Sequence, residues 1–345
     1  MRNIKKIVSV CLSLMMVFTM MIGFANADST GEVITIGANL NQQQKSEILN
    51  YFGVDENNPD IMYVNNQQER KYLSGVAPDR QLGHVTMSSS YVVPTSSGGI
   101  NVKTSNITWV TSSMIASTLS TAGVDNANVV AAAPFPVSGT GALTGIIMAF
   151  EKSSGEQLTE EKKQLANKEL VATGNLAEEV GKDKASGIIN DAKKEVIKDG
   201  LKDEKDIEKA VKDVANNYNV TLNTGDINVI VNLLKDIGNQ NYNYKDMKDT
   251  LDNISANVGY SLKEAGEKVD IDGIFNKAKS FINNNKDAKE FFNQFDDSKL
   301  SKDAVVSTTA SGIESAQKVA GDLGQKVNDS GLWDKIKSFF QSLFN

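Results

Sequence analysis

One histidine, His84, and one cysteine, Cys11, limit the chemistry open to this 345-residue chain, which carries 43 acidic residues. A single imidazole cannot build the multi-histidine zinc sites of common hydrolases, and no His-Glu-x-x-His run is present. His84 follows Gly83 at the start of a β-rich stretch, where it reads as a structural or surface residue rather than a general base. Serines are plentiful, yet no Gly-x-Ser-x-Gly elbow presents one as a nucleophile. Asp270-Ile271-Asp272-Gly273 resembles the middle of a calcium loop, but Lys268 and Lys279 stand where its terminal carboxylates belong. No catalytic residue, metal ligand or cofactor is assigned. Paired carboxylates are the chemistry left, drawn in the first half from Glu47, Asp55, Glu69, Asp79 and Asp125.

Two further stretches offer contacts rather than catalysis. Ser138, Gly139, Thr140 and Gly141 follow a strand-like run and open a helix, the placement at which bare amides attract an anion. Their glycine spacing and the lack of a following lysine do not make a P-loop, and close packing of helix on sheet explains the same residues. At the other end of the chain, Leu332, Trp333, Ile336, Phe339, Phe340, Leu343 and Phe344 recur at helical intervals. That aromatic stripe is suited to docking on the protein's own core, on a partner or on a membrane surface.

The first 27 residues say where such contacts would be made. Arg2, Lys5 and Lys6 precede an apolar run from Ile7 to Phe24 that ends in Ala25-Asn26-Ala27. Basic head, apolar middle and Ala-x-Ala end are the parts of a secretory signal peptide, so cleavage near Ala27 and a secreted or extracytoplasmic location are expected. Cys11 leaves with the leader, and the mature chain then has no thiol and no disulfide. Three basic residues leave too, so 33 basic residues face 43 acidic ones, a net charge of −10. So acidic a protein is a poor partner for nucleic acid.

The elements that position these residues fall into two groups. From Asp28 to Phe150 there are 9 acidic and 5 basic residues and all five prolines; from Glu151 onward there are 34 acidic and 28 basic. The contrast predicts an α+β protein: a mixed α/β domain over 28–150, then a mostly helical domain over 151–298. Strands are expected at Val33–Ile36, Ile61–Val64, Val85–Val93, Ile100–Val110 and Val129–Ala133, with the third and fourth joined as a hairpin at Ser96-Ser97-Gly98-Gly99. Helices are expected from Gln42 to Phe52, through Leu73, from Thr111 to Thr121, and from Ser138 to about Phe150. Gly53-Val54-Asp55 and Gly123-Val124-Asp125 lie 70 residues apart, as do Leu73-Ser74-Gly75 and Leu143-Thr144-Gly145. This spacing suggests duplicated β-α-β-α units flanking the hairpin. Beyond Glu151, apolar residues at three- and four-residue spacing predict helices over Glu160–Val171, Asn175–Lys198, Glu204–Tyr218, Asp226–Ile237 and Lys245–Val258. The charges interspersed there read as a solvated face. Residues 299–330 are rich in small side chains and read as a helix or tether, before an amphipathic helix over 331–345.

Several segments carry a resemblance. Gly37-Ala38-Asn39-Leu40, Tyr51-Phe52-Gly53-Val54, Val64-Asn65-Asn66 and Glu69-Arg70-Lys71-Tyr72-Leu73 are four of them. Asn106-Ile107-Thr108, Ala133-Pro134-Phe135-Pro136-Val137-Ser138-Gly139-Thr140 and Thr173-Gly174-Asn175-Leu176-Ala177 are the others. Together they resemble the YpuA-like family of exported Gram-positive proteins, a domain-of-unknown-function family of the DUF1002 type. The resemblance implies an extracytoplasmic protein and carries over no catalytic residue. The expected function is therefore non-catalytic: binding of a cell-envelope component or a protein partner, with membrane-surface contact through the C-terminal helix. The alternative is a carboxylate-based hydrolase acting on a cell-wall polymer.

Overall fold

A computed structural model describes residues 31–73, 84–270, 286–301 and 304–309. The expected leader, Asp79 and the expected aromatic face from Leu332 to Phe344 lie outside the described residues. Among the described residues, six strands form one mixed sheet: β1 (Val33–Gly37), β2 (Ile61–Val64), β3 (Ser89–Pro94), β4 (Ile100–Ile107), β5 (Ala127–Val137) and β6 (Val306–Thr308), in the spatial order β2-β1-β3-β5-β4-β6. The helices are α1 (Gln42–Phe52), α2 (Asn66–Leu73), α3 (Ser112–Ala122), α4 (Thr140–Ser154), α5 (Glu160–Val180), α6 (Lys182–Asp199), α7 (Glu204–Asn217), α8 (Thr224–Gly238), α9 (Tyr244–Glu264) and α10 (Lys286–Phe292). The molecule is α+β with a helical C-terminal region.

Local signals in the sequence account for many of these boundaries. Asn41 opens α1 with a reciprocal capping box to Gln44, and Asn65 makes the same exchange with Gln68 at the start of α2. Thr111, Thr159, Asp203, Asn223 and Asn243 cap α3, α5, α7, α8 and α9. Gly53 and Gly123 close α1 and α3 in the left-handed conformation.

The third and fourth strands do not form the expected hairpin. Pro94, at the end of β3, and Ile100, at the start of β4, both pair with Ala127, so β5 lies between them. The five residues from Thr95 to Gly99 bridge the roughly 10 Å across an intervening strand. β5 is buried on both faces from Ala127 to Ala133, and a strand of that kind needs a neighbour on each edge. The two β-α-β-α stretches share an element order, and each holds a parallel pair, β1 with β2 and β4 with β5. They differ in the face they cover. α1 packs with Ile34, Ile36, Tyr91 and Val130 on one face, whereas α3 packs with Val92, Val102 and Val129 on the other.

The break expected at Thr173-Gly174 is absent, and α5 runs on to Val180. Gly174 is there for space: a Cβ on it would sit 2.1 Å from the Trp109 ring. Within the stretch read as a small-residue helix or tether, residues 306–308 are strand β6, paired antiparallel with β4. Small, β-branched residues (Val305, Val306, Thr308, Thr309) fit a pleated sheet edge as well as a loose helix, so composition did not distinguish the two. The change in composition at Glu151 marks a change of layer, and one buried cluster runs across it from Val33 to Leu262. α3 is the joint: every residue from Ser112 to Ala122 is buried. A helix without charge, apolar or hydroxyl-bearing all round, can fill that position.

Candidate functional site

α6 passes through the middle of the helical layer, against α3, α5, α7, α8 and α9. Its apolar residues Ala185, Ile188, Ile189, Ala192 and Val196 are buried. So are Asn190, Asp191, Lys193 and Lys194, the last only 3% exposed. Four polar residues inside a helical core require partners of equal quality; the three charged ones have them, and Asn190 donates through Nδ2 to Asp191, Leu251 O and Ser255 while its Oδ1 has no hydrogen-bond partner.

Lys193 and Glu169, 0% exposed both, form the first group. The Lys193 ammonium lies 2.9 and 3.1 Å from the two Glu169 carboxylate oxygens. It also donates toward Ser117 O at 2.7 Å, Ser117 Oγ at 2.8 Å and Thr121 Oγ1 at 2.9 Å. Ser117 Oγ in turn donates to Glu169 Oε1 at 2.5 Å, and Thr121 Oγ1 donates to Oε2. Burial pulls the Lys193 pKa down, and the adjacent carboxylate opposes that shift. A serine hydroxyl between an amine and a carboxylate has the parts of a Ser–Lys nucleophile. Here Ser117 is 4% exposed, and every group is saturated by another in the set. The arrangement ties α3, α5 and α6 together.

Asp191 anchors the second group. It accepts from Tyr218 Oη at 2.8 Å, Ser255 Oγ at 2.5 Å and Asn190 Nδ2 at 3.1 Å. Burial, and then the Asp191 charge, push the Tyr218 phenol well above its ordinary pKa, so it remains a donor. In the third group, Lys194 and Lys248 both pair with Asp252, Lys248 at 2.8 Å. Burial lowers the Lys194 pKa against the pull of Asp252. The three groups together hold three carboxylates and three lysines, so their formal charges cancel.

The predicted anion loop has a resident anion of its own. Thr140 Oγ1 donates to Glu69 Oε1 at 2.7 Å, while Thr86 Oγ1 and Asn66 Nδ2 donate to Oε2 at 3.2 and 3.3 Å. Glu69 is 1% exposed, and burial raises its pKa against those hydrogen bonds. Gly139, at φ +94°, has no room for a Cβ, which would meet the Ile107 side chain at 2.2 Å. Gly141 lies against Thr86 and Glu69, and Ser138 is exposed. The glycines thus let α4 approach the sheet.

Of the other carboxylates considered for hydrolysis, Asp55 and Asp125 are exposed and Glu47 is half-buried. Asp55 accepts from the Asn57 amide at 2.8 Å in an ordinary polar turn. His84 is exposed, with Nδ1 3.5 Å from Arg70 Nη2. Among the described residues, no three His, Cys, Asp or Glu side chains are grouped to hold a metal ion. Nor is any described helix long and apolar enough to cross a membrane.

Sequence reasoning missed the α6 groups by assigning their charges to a solvated face. A signal was available in α3, where Ser117, Ser120 and Thr121 stack hydroxyls along one face of a helix that contains no charge. Hydroxyls aligned at such spacing, flanked by Met114, Ile115 and Leu119, point to a buried polar partner.

Residues 36–254 match the family described as "Protein of unknown function (DUF1002)". The chain belongs to that family. It is also 39% identical, over 233 residues, to "Uncharacterized protein YpuA" of Bacillus subtilis (strain 168), a match covering 67% of this chain and 80% of the relative. No solved structure matches. The lysines and carboxylates of the three α6 groups and the Glu69 site lie inside the DUF1002 region; Ser255, α10 and β6 lie beyond it.

Proposed function

We propose that this DUF1002 protein is exported, and that it acts outside the membrane by binding a cell-envelope component or a protein partner, without catalysing a reaction. The leader-like sequence up to Ala27 supports export. The observation that carries the non-catalytic reading is the saturation of the buried ionisable groups. Glu169, Asp191 and Asp252 are each matched by lysines, hydroxyls or a phenol of the same core, which commits them to structure. The C-terminal stripe from Leu332 to Phe344 supplies an apolar contact surface once it is helical.

Fractionation of a Gram-positive host expressing the chain tests both parts. Mass spectrometry should find protein beginning at Asp28 in the medium or wall fraction; intact precursor confined to the cytosol overturns export. Deleting residues from Leu332 onward should reduce envelope association while leaving circular dichroism largely unchanged. Release of soluble fragments from purified wall polymer by the mature protein would instead establish the hydrolase.

A further inference from the structure

β1, β2, β4 and β5 run parallel, and β3 and β6 run against them. The carboxyl ends of four strands therefore lie at one end of the sheet, with the entries to β3 and β6 among them. The chain leaves β1 for α1 on one face, and leaves β4 and β5 for α3 and α4 on the other. Ligands of open α/β sheets sit outside the carboxyl ends of the strands, where neighbouring connections part to opposite faces. Here that point lies between β1 and β5, at the entry to β3, residues 84–88. Asn39, just past β1, exchanges two hydrogen bonds with the Thr86 backbone, at 2.9 and 3.2 Å.

Two properties distinguish this end. Among the described residues, six large apolar side chains are exposed, and five belong to it: Tyr63 on β2, Val85 before β3, Phe135 on β5, and Val305 and Val306 at the start of β6. The sixth, Val229, is on α8. An apolar concentration of that kind marks a contact site. The local charge also runs against that of the molecule, which holds 43 acidic residues to 36 basic ones. Residues 38–41, 65–71, 84–88, 106–111 and 134–139 contain one carboxylate, the buried Glu69. Their other charges are Arg70 and Lys71, with the His84 imidazole beside them. Asn66 Oδ1 accepts from Arg70 Nε at 2.9 Å, which orients the guanidinium next to His84. Glu69 already occupies the first turn of α4, so an incoming anion meets Arg70, Lys71 and His84 instead.

We propose that this end of the sheet binds an extended acidic saccharide. From β2 to β6 the strand ends span about 24 Å, the reach of an oligomer rather than of a single group. Strand ends offer no ladder to a peptide backbone. They present an exposed aromatic face on Phe135, the exposed side chains of Asn39, Asn65 and Ser138, and two basic residues. Those groups suit the apolar ring faces, hydroxyls and carboxylates of acidic sugars. The proposal rests on the binding reading above, but not on export or on the Leu332–Phe344 stripe.

Isothermal titration of the full chain with an oligogalacturonate is expected to show saturable binding, about tenfold tighter than its carboxyl-reduced, neutral form. F135S and the double variant R70Q/K71Q should each weaken binding about tenfold. V229S, which removes the exposed apolar side chain on α8, should leave it unchanged. No binding by wild type, equal binding of the neutral form, or unchanged affinity in F135S overturns the proposal. Tighter binding of polyglutamate overturns it too, and makes the partner an acidic polypeptide. If a variant loses its circular-dichroism signal, amide shifts of the wild type on adding the oligogalacturonate decide. Changes centred on residues 65–71, 84–88 and 134–139 are expected, and changes centred elsewhere overturn the site. Because purified protein is used, failure here leaves export and the C-terminal stripe to be judged by fractionation alone.

Discussion

Replacing Lys193 with methionine would leave the Glu169 carboxylate in the core with hydroxyl donors but no cation. Breaking one side of a buried pair costs about 3–5 kcal/mol, whereas replacing both sides with apolar residues is often neutral. Urea unfolding should therefore show K193M strongly destabilised and K193M/E169L closer to wild type, a non-additivity that identifies the pair as a unit. Glu69 behaves differently, because burial raises its folded-state pKa above the unfolded value. The folded state then binds its proton more readily, so the contribution of Glu69 to stability falls as pH rises above the usual carboxylate range. Relative to E69Q, wild type should be more stable at pH 4 than at pH 7, as measured by denaturation at both. An unchanged difference would place the carboxyl in a more solvated setting. Glu69 itself was among the carboxylates considered from sequence, but its role was not legible. Its partners Thr86 and Thr140 come from elements 17 and 71 residues away.

At the scale of elements, Gly174 shows how packing overrides propensity. Glycine inside a helical pattern is ordinarily a weak point, and a break was expected there. Yet α5 crosses Gly174 without interruption, because the missing side chain is the space that Trp109 fills. Gly174→Ala improves helix propensity but forces the indole out, and overpacking of this kind costs about 1–3 kcal/mol. The variant should melt at a lower temperature with altered Trp109 emission, and W109L in the same chain should recover much of the loss. Strand positions were legible for a similar reason in reverse: β-branched runs such as Val33-Ile34-Thr35-Ile36 carry their own signal. Strand neighbours were not. A turn-like Ser-Ser-Gly-Gly segment serves a hairpin or a bridge across β5 equally well. Only the demand of β5 for two neighbours selects the bridge.

For the whole molecule, the composition boundary near Glu151 does not divide the packing. α3 is buried on all sides, partly by the sheet and partly by α5, α6 and α9. A fragment comprising residues 28–150 would expose its apolar stripe together with Ser117, Ser120 and Thr121, which have lost their Lys193 and Glu169 partners. Such a fragment should be unfolded or aggregated, as judged by circular dichroism and gel filtration. The longer chain should unfold with coincident transitions by near- and far-ultraviolet probes. A soluble, cooperatively folded 28–150 fragment would show that the sheet layer is independent of the helices.

Local properties of the chain were readable without a structure. Capping residues and periodicity define most helices, and one histidine with one cysteine limits the chemistry. These signals act over a few residues, so neighbouring side chains suffice to express them. Tertiary structure alone decided the strand order, the burial of Lys193, Lys194 and Asp191, and the return of residues 306–308 to β4. Each joins groups distant along the chain. A charge in a helix is written identically whether it faces water or a buried partner; what separates the two cases is the neighbour that folding brings to it.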